Sequence, residues 1–593
     1  MQLEDAFKGV PFIVGICGHR TIADDAAVRA QVRKILDLIS GRANASTELV
    51  LLTGLAEGAD QLVAEVALDL NWTVVAVLPM AKADYLIDFQ TTTSKSRFLQ
   101  LLARCQHSIA LPSQTPSSSA IDRVAQYCAL GHFLTRHAQL MLLLWDGVKT
   151  PIQPGGTAWV REHCLSGLTG ASSQLDRHRT SYIHIPVARQ SGNPLPTVDQ
   201  PTETESTAYL QWEVDLKYIA EFNADCVRTE STLLSARTKS CAYLLDDDTL
   251  SKIEAKPERC LHLYAYADAI STTDQVRRKN VIRMELVLLA SSAVAASIYS
   301  GPHMAMGWLV LHIALLSGFV FLYFRHFNPA LSAQSRLQKG FNFENLDTRY
   351  LDYRAVAEGL RVQIFWQMQG LRHCVADHYL SLHHQETRWI SAAVRNVSLM
   401  DDLGANVMRS NVTKQHANHS DIVGVKWIQD QSKYYLGQDF QKLAGKYSLH
   451  QKQHERWDRL SMWLLGFAIF LTLINLGIHA VGYGRWFEAI PGELPLSGYI
   501  TWINLLVSVG FIFAGAFKAY DSLMGHEERA SNYKFYGQIF RAAQKKFTYQ
   551  GNVNFSKNDN EIIVYELGKA ALAESADWLI KHRKQSLNIK DQL

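Results

Sequence analysis

Four apolar segments constrain the fold of this chain more than any other feature of its sequence. They cover residues 281–299, 304–324, 460–481 and 498–517. Each is close to the roughly 20 residues that a helix needs to cross the hydrocarbon core of a bilayer. Buried core helices are the alternative, and the Trp, Tyr and basic residues that flank the segments disfavour it. The sequence therefore predicts a multi-pass membrane protein with two transmembrane hairpins, at residues 281–324 and 460–517.

The basic residues around these segments predict their orientation. The flanking lysines and arginines are Arg277, Arg278, Lys279, Arg283, Arg325, Arg336, Lys339, Lys452, Arg456, Arg459, Lys518, Arg529 and Lys534. The two connecting turns, residues 300–303 and 482–497, contain one basic residue, Arg485. The first ten residues, MQLEDAFKGV, do not read as a signal peptide. We therefore expect an inner-membrane protein with both termini and all long soluble parts on the cytoplasmic side.

Polar residues within the apolar segments are the candidates for a pathway through the membrane. We select Ser292, Asn475, Asn504 and Ser508 as pore candidates. Hydrogen bonding between neighbouring helices is the alternative role for such residues. None of the segments has a charged residue at its centre, which disfavours a proton-coupled transporter or a voltage sensor.

Composition excludes two further classes of protein. The chain has 593 residues and a formal net charge of +3, whereas a dedicated nucleic-acid binder usually has a clear basic excess. Its 8 cysteines form no CxxC pair and no zinc-type spacing with histidine. We therefore expect no nucleic-acid partner, no metal site, and free thiols in a reducing compartment.

Strands alternate with helices over residues 1–190, which precede the membrane segments. Five apolar runs are the strand candidates, PFIVGICG, ELVLLT, WTVVAVLP, AQLMLLLW and TSYIHIPVAR. Stretches with helical spacing of apolar residues separate several of them. The fold class that we predict is a doubly wound α/β Rossmann-like N-terminal domain, followed by an α-helical four-span transmembrane domain with long cytosolic helices.

Three glycine-containing turns follow predicted strands, and we call residues 15–20, 53–60 and 155–157 the first, second and third glycine turns. Glycine lets backbone N–H groups approach an anion, and a helix N-terminus adds a favourable dipole. Each turn alone is typical of ordinary loop chemistry, but three at the strand ends of one sheet favour a ligand site. The predicted ligand-binding residues are Gly18, His19, Arg20, Thr53, Gly54, Glu57, Gly58, Asp60, Asp146, Gly155, Gly156 and Thr157.

The charged members of this set suggest the class of ligand. Arg20 is suited to pairing with a phosphate group. Asp60, Glu57 or Asp146 is suited to accepting hydrogen bonds from ribose hydroxyls. These residue types predict a nucleotide-like ligand.

The motifs VGICGHR, TGLAEGADQLVAEVAL and WDG…PGGTAWV resemble those of the SLOG family over roughly residues 8–190. SLOG domains are Rossmann-like and are related to the LOG enzymes and to DprA. The resemblance implies a nucleotide-derived ligand, of the cyclic ADP-ribose type or a cyclic oligonucleotide, with no other cofactor required. LOG enzymes carry PGGxGTxxE, whereas here Thr157 follows Gly156 directly and Glu162 is out of register. Ligand binding is therefore a safer expectation than hydrolysis.

The remaining segments are predicted to be mainly helical. We expect a linker and coupling region at residues 191–280, a cytosolic helical region at 325–459 and C-terminal cytosolic helices at 518–593. Within the middle region, residues 421–454 are expected to form one long polar helix. The layout resembles the SLATT family, with a two-span unit at about residues 260–375 and again at 430–585.

Together with the membrane segments, the resemblance to these two families implies a membrane effector in bacterial anti-phage defence. A nucleotide messenger would bind the cytosolic domain, and the spans would respond by opening a channel or pore or by disrupting the membrane. Four spans do not easily enclose a pore, so we expect a homo-oligomer, with a tetramer favoured. A membrane-tethered nucleotide N-glycosidase and a transporter with a regulatory domain are the alternatives.

Overall fold

The computed structural model describes most of the chain. The described residues are 7–23, 25–114, 122–148, 152–167, 179–189, 203–253, 256–300, 305–327, 346–379, 387–404, 416–437, 445–483, 496–547 and 557–588. They form a six-stranded sheet near the N-terminus and helices along the rest of the chain. The fold is thus a Rossmann-like α/β region followed by a helical region.

The sheet is parallel throughout. Its strands are β1 Phe12–Gly18, β2 Leu49–Thr53, β3 Thr73–Leu78, β4 His107–Ala110, β5 Leu140–Trp145 and β6 Ser181–Pro186. The order across the sheet is β4-β3-β2-β1-β5-β6. The chain therefore extends the sheet from β1 to β4 in one direction, and then returns to place β5 on the other side of β1. The central strands have continuous apolar sequences, such as LMLLLW in β5, as expected for strands covered on both faces.

Among the described residues, nine helices lie before the helix that contains the first apolar segment, and several of them connect the strands. Their bounds are α1 Asp25–Arg42, α2 Ala59–Asp69, α3 Lys82–Tyr85, α4 Thr92–Arg104, α5 Arg123–His137, α6 Thr157–Ser166, α7 Glu203–Thr229, α8 Leu234–Leu244 and α9 Asp247–Ser251. A 3-10 turn, Leu86–Asp88, follows α3. Several helices begin with a capping side chain. In α5, for example, Asp122 accepts a hydrogen bond from the Ala125 N–H.

The later helices include the longest in the chain. Their bounds are α10 Glu258–Ser300, α11 Met306–Phe327, α12 Leu346–Gln369, α13 Arg388–Gly404, α14 His416–Val423, α15 Asp430–Leu436, α16 Lys446–Tyr483, α17 Leu496–Met524, α18 His526–Lys546 and α19 Lys557–Asn588. A 3-10 turn lies at Val375–Asp377 and a π-helical turn at Gly424–Gln429. The coupling region of the sequence analysis thus ends in a helix that continues without a break through the first apolar segment.

The chain divides into two compact units. The first comprises Met1–Ile270, Asp352–Val423 and Thr548–Leu579, and the second comprises Ser271–Leu351, Gly424–Phe547 and Ile580–Leu593. Three of the boundaries fall within α10, α12 and α19, and the other two follow Val423 and Phe547. The first unit contains the sheet, and the second contains the apolar segments.

The core of the first unit includes a helix that is distant from the sheet in sequence. Leu399, Met400 and Leu403 of α13 belong to the same buried cluster as residues of β1, β2, β3, β5, α5 and α6. The Asn396 amide also donates to the backbone oxygen of Pro11 (2.9 Å) and to Oε1 of Gln139 (2.7 Å). The core of the sheet region is therefore completed by a segment that follows the first hairpin in sequence.

Four helices among the described residues are long and apolar enough to cross a membrane, as expected for a membrane protein. These candidate spans lie within Glu258–Ser300, Met306–His326, Lys446–Ile478 and Ile500–Lys546. None of the most apolar stretch of Met306–His326 is buried within the chain. The apolar surface of the spans is therefore available to lipid or to further protein.

Small residues allow α16 and α17 to pack closely as a hairpin. A Cβ atom at Gly510 would lie 3.0 Å from Cβ of Ala468. One turn further along α17, the Ala514 carbonyl accepts a hydrogen bond from Ser461 Oγ (2.9 Å). Close approach of backbones at small residues is a common way for helices to associate in lipid.

The structure departs from two predicted elements. The sheet contains a sixth strand, β4, whose four-residue sequence HSIA is too short and too weakly apolar to stand out. The single long helix predicted for residues 421–454 is wrong. The π-helical turn at Gly424–Gln429 interrupts it, and α15 ends at Gly437, which has a φ of 88°. That left-handed conformation is disfavoured for other residues and stops a right-handed helix.

Candidate functional site

The candidate site lies at the switch point of the sheet, where β1 and β5 are neighbours. Helical connections leave these two strands toward opposite ends of the strand order. In open parallel sheets such a point forms a crevice outside the carboxyl ends of the strands, where ligands bind. The first glycine turn follows β1, and Asp146 directly follows β5. The structure therefore brings these two predicted elements together.

The first glycine turn is held tightly between β5 and α2. A Cβ atom at Gly18 would lie 2.4 Å from Cβ of Ala59 and 2.8 Å from the Leu144 oxygen. The His19 N–H donates to that same Leu144 oxygen (3.0 Å), and the His19 carbonyl accepts from the Ala59 N–H (3.0 Å). Only glycine permits this close approach, which fixes the backbone of the turn against the start of α2.

His19, Asp146 and Arg189 form a polar cluster across the switch point. His19 Nε2 accepts a hydrogen bond from the Asp146 backbone N–H (3.1 Å), and Arg189 Nε lies 2.9 Å from Asp146 Oδ2. Burial lowers the pKa of His19, which agrees with an unprotonated Nε2. Burial alone would raise the pKa of Asp146, but the Val148 N–H and the Arg189 guanidinium lower it. Asp146 is therefore an ionised carboxylate whose oxygens are already engaged.

The second glycine turn has an unusual backbone. Leu55 is fully buried with a φ of 52°, and its N–H donates to Thr53 Oγ1 (3.0 Å). Gly58 has a φ of 83°, and a Cβ there would lie 2.2 Å from the Arg20 carbonyl oxygen. A side chain at Gly58 is thus excluded by both backbone strain and contact with the first turn.

The Asp60 side chain connects the second glycine turn, to which it belongs, to the first. Its carboxylate is buried, and its Oδ2 accepts a hydrogen bond from the Ala56 N–H (3.4 Å). Burial raises the pKa of Asp60 to about 7, although the backbone N–H groups of Ala56, Gly54 and Gly18 favour its ionised form. Its oxygens therefore stabilise the turns. Glu57, by contrast, is half-buried and has no hydrogen bond or ion pair to any described residue, so its carboxylate remains free for a ligand.

The third glycine turn begins α6. Gly155 has a φ of 76°, and Gly156 is the N-cap of α6 without a side chain to cap it. Thr157, the first residue of the helix, is buried, and its Oγ1 accepts from Cys17 Sγ (3.7 Å). Burial, and secondarily Asp60, raises the pKa of Cys17 to about 12, so this group remains a thiol donor at neutral pH. The hydrogen bond joins the third turn to β1.

The N-termini of α2 and α6 share a property that suits anion binding. Both helices begin at a glycine N-cap without a capping side chain, although the Ala59 N–H at the start of α2 already donates to the His19 carbonyl. Such N–H groups and the helix dipole favour a negative charge. The structure thus places two such helix ends beside the same pair of strands.

Other residues of the site could not be found from the sequence motifs. Arg189 follows β6, and Tyr127 lies on α5, where its hydroxyl accepts a hydrogen bond from Arg20 Nη2 (2.7 Å). Tyr127 stands in no glycine turn or recognisable motif. Arg189 ends the predicted strand run TSYIHIPVAR, but no glycine turn marks it as a site residue. Within the described part of the chain, no group of three or more His, Cys, Asp and Glu side chains is arranged to hold a metal ion.

Comparison with known proteins does not identify the chain. No protein-family model matches it, and no similar sequence is found among curated proteins. The functional argument therefore depends on the geometry of the site.

The pore candidate of the first hairpin contacts the opposite helix. Ser292 is buried, and its Oγ lies 2.9 Å from Nδ1 of His312, so it joins α10 to α11. This contact is an interhelical hydrogen bond of the kind that stabilises helix pairs in membranes.

The second hairpin contains a comparable polar contact. The Asn475 amide donates to Asn504 Oδ1 (2.6 Å), which joins α16 to α17. Ser508 Oγ donates to the Asn504 backbone oxygen one turn earlier (3.0 Å), within its own helix. Asn504 is exposed on the surface of the chain.

Proposed function

We propose that this protein is a membrane effector that binds a nucleotide-derived messenger at the switch point of its SLOG-like domain. The observation that carries the proposal is the convergence of three glycine turns and two helix N-termini without capping side chains beside β1 and β5. Arg20 adds positive charge at the same place. Glu57, which has no hydrogen bond or ion pair among the described residues, offers a carboxylate to a sugar hydroxyl. These groups suit a phosphorylated ribose compound of the cyclic ADP-ribose or cyclic oligonucleotide class.

Contacts within the first unit support transmission of a binding event away from the pocket. α5 carries Tyr127 near its N-terminal end and Arg136 near its C-terminal end. Arg136 pairs with Asp377, which also accepts a hydrogen bond from Arg395 Nη2 of α13 (2.9 Å). A displacement of α5 by a ligand would therefore act directly on α13.

α13 in turn contacts the start of the helix that continues into the first span. The Asp401 carboxylate accepts hydrogen bonds from the backbone N–H groups of Arg259 (2.9 Å) and Cys260 (2.8 Å). These are the first residues of α10, so a side chain of α13 caps this helix. Asp401 is thus a suitable place for the pocket to influence the first membrane segment.

The output that we propose is the opening of a channel or pore, or disruption of the membrane, in bacterial anti-phage defence. The protein would reside in the inner membrane with both termini in the cytoplasm and would act as a homo-oligomer, with a tetramer favoured. The exposed apolar surface of the spans and the exposed Asn504 support additional protein contacts in the membrane.

The test pairs two variants of one residue. Gly156→Asp places a carboxylate at the N-terminus of α6, where it would cap the helix and repel an anionic ligand. Gly156→Asn has the same shape and also caps, but it has no charge. A Cβ at Gly156 would lie 3.1 Å from the Gln153 backbone oxygen, which is a tight contact. Both variants share this contact, so the comparison between them isolates the effect of the charge.

The measurement is dye release from proteoliposomes supplied with AMP, ADP-ribose, cyclic ADP-ribose or cyclic di-AMP. We expect at least one compound to release dye through the wild-type protein and the Asn variant, and not through the Asp variant. An equal response of the Asp variant would show that the pocket is wrong. Release of free base from the compound would instead favour the N-glycosidase alternative.

A further inference from the structure

Arg20 differs from the other arginines around the switch point in its partners. Arg189 pairs with Asp146 and Arg123 pairs with Asp88, so a carboxylate directly balances each of these charges. Among the described residues Arg20 forms no hydrogen bond or ion pair with a carboxylate, although Asp60 and Asp88 act on it electrostatically. Its Nη2 donates instead to the Tyr127 hydroxyl (2.7 Å). Arg20 is thus a cation held by a neutral group.

The Tyr127 hydroxyl stands between Arg20 and a carboxylate. It accepts from Arg20 and donates to Asp88 Oδ2 (2.5 Å), while Arg123 occupies Asp88 Oδ1. Burial and the hydrogen bond to Asp88 raise the pKa of Tyr127, so the hydroxyl keeps its proton. Asp88 is 12% exposed, which strengthens its attraction for any cation that can reach it.

The rest of the Tyr127 side chain fixes the position of its hydroxyl. The Arg20 guanidinium carbon lies 5.3 Å from the centre of the Tyr127 ring. A Cβ at Gly155 would lie 2.8 Å from Cβ of Tyr127 and 3.1 Å from the Cys128 nitrogen, so the third glycine turn packs directly against this part of α5. Tyr127 therefore contacts the first and third turns at once.

We infer that Tyr127 is a positioning residue for the anionic group of the ligand. Its hydroxyl holds the Arg20 guanidinium at the switch point and prevents it from pairing directly with Asp88. Arg20 then keeps its charge for a phosphate or pyrophosphate group. This role rests on the proposed function, because it assumes that an anionic ligand binds beside β1 and β5.

The experiment uses the full-length protein in detergent, with inorganic pyrophosphate as the probe and titration calorimetry as the measurement. Tyr127→Phe keeps the ring and removes the hydroxyl. Tyr127→Phe combined with Asp88→Asn also removes the carboxylate with which Arg20 would otherwise pair. Tyr182→Phe is the matched control, because Arg161 lies over this ring at 5.8 Å but on the β6 side of the sheet.

We expect Tyr127→Phe to weaken pyrophosphate binding about tenfold, as loss of a hydrogen bond to a charged group would. The double variant should recover to within about threefold of wild type, because residue 88 is no longer a carboxylate with which Arg20 could pair. If Tyr127 had only a structural role, the double variant should bind pyrophosphate more weakly than Tyr127→Phe, because the second substitution would perturb the site further.

The outcomes separate this inference from the proposed function. Unchanged binding by Tyr127→Phe, or a double variant weaker than the single one, would overturn the role of Tyr127. If Gly156→Asp still abolished the response to nucleotides in either case, the proposed function would stand. If the wild type binds no pyrophosphate, the inference fails and the nucleotide response again decides the proposed function independently.

Discussion

Asp60 shows how a residue predicted to bind a ligand can serve the fold instead. A carboxylate at the start of a helix after a strand is suited to binding a ribose hydroxyl, and the sequence supports that role equally for Asp60, Glu57 and Asp146. In the structure the Asp60 carboxylate is buried beneath two glycine turns and accepts backbone N–H groups. Its energetic effect should therefore appear in stability and not only in ligand binding.

The stability of the first unit should fall with pH because of Asp60. Burial raises the pKa of Asp60 from 3.8 to about 7, so the folded chain keeps a proton that the unfolded chain releases. The resulting stabilisation is complete below the unfolded value and is lost as the pH rises through about 7. Asp60→Asn removes this titration. We expect the melting temperature of the variant to fall less than that of wild type between about pH 5 and about pH 8.

A matched substitution makes this test specific. The side chain of Asp248 is 78% exposed and pairs with Lys252 on the surface of the same unit. Asp248→Asn should keep the pH dependence of the wild type, because exposed ion pairs contribute little to stability. Equal pH dependence in Asp60→Asn and wild type would show that Asp60 does not hold the extra proton.

Residues of the site could be predicted from the sequence only where a local pattern indicates a particular backbone conformation. Glycine after a strand marks a turn, so Gly18, Gly58 and Gly155 could be located, and two of these have positive φ. Tyr127 and Arg189 could not be located in this way, because they enter the site through tertiary packing. The interaction of Arg20 with Tyr127 joins residues 107 positions apart.

At the scale of elements, length and periodicity decided what could be predicted. The four apolar helices and the Rossmann-like sheet are confirmed by the structure. β4 was missed because HSIA has too few residues to show a period. The long helix at residues 421–454 was predicted wrongly, because the effect of a single glycine such as Gly437 depends on whether tertiary contacts hold it in the left-handed conformation.

The packing of the second hairpin can be tested with two glycines of the same helix. A Cβ at Gly510 would meet Ala468 at 3.0 Å, whereas a Cβ at Gly515 would have nothing within 4 Å. Gly510→Leu should force α16 and α17 apart at a cost of about 1–3 kcal/mol. Gly515→Leu shares the change in helix propensity and serves as the control.

The measurement is thermal unfolding of the purified protein in detergent. We expect Gly510→Leu to lower the unfolding temperature and Gly515→Leu to leave it close to that of wild type. Equal behaviour of the two variants would argue against the close contact of α16 with α17 at this position. A loss of stability in Gly515→Leu alone would indicate that this face of α17 is covered by another copy of the chain.

At the scale of the whole molecule, the first unit is assembled from three separate stretches of sequence. The membrane hairpins are inserted between stretches that fold together. α13 supplies Leu399, Met400 and Leu403 to the core of the sheet region. No pattern near residue 400 reveals that its partner is a sheet formed by residues 12–186. This arrangement makes the sheet region dependent on chain that follows the first hairpin.

A fragment of residues 1–253 should therefore fail to fold as a stable domain. It contains the whole sheet, but it would expose the apolar surface that α13 covers and would leave Gln139 without its hydrogen bond to Asn396. We expect it to aggregate or to bind a hydrophobic dye and unfold without cooperativity. Joining residues 352–423 to this fragment through a flexible linker should restore a soluble, cooperatively unfolding protein. If residues 1–253 alone were monodisperse and unfolded cooperatively, α13 would be dispensable for the sheet. Coupling to the membrane would then be the only remaining role for the contact that α13 makes with α10 through Asp401.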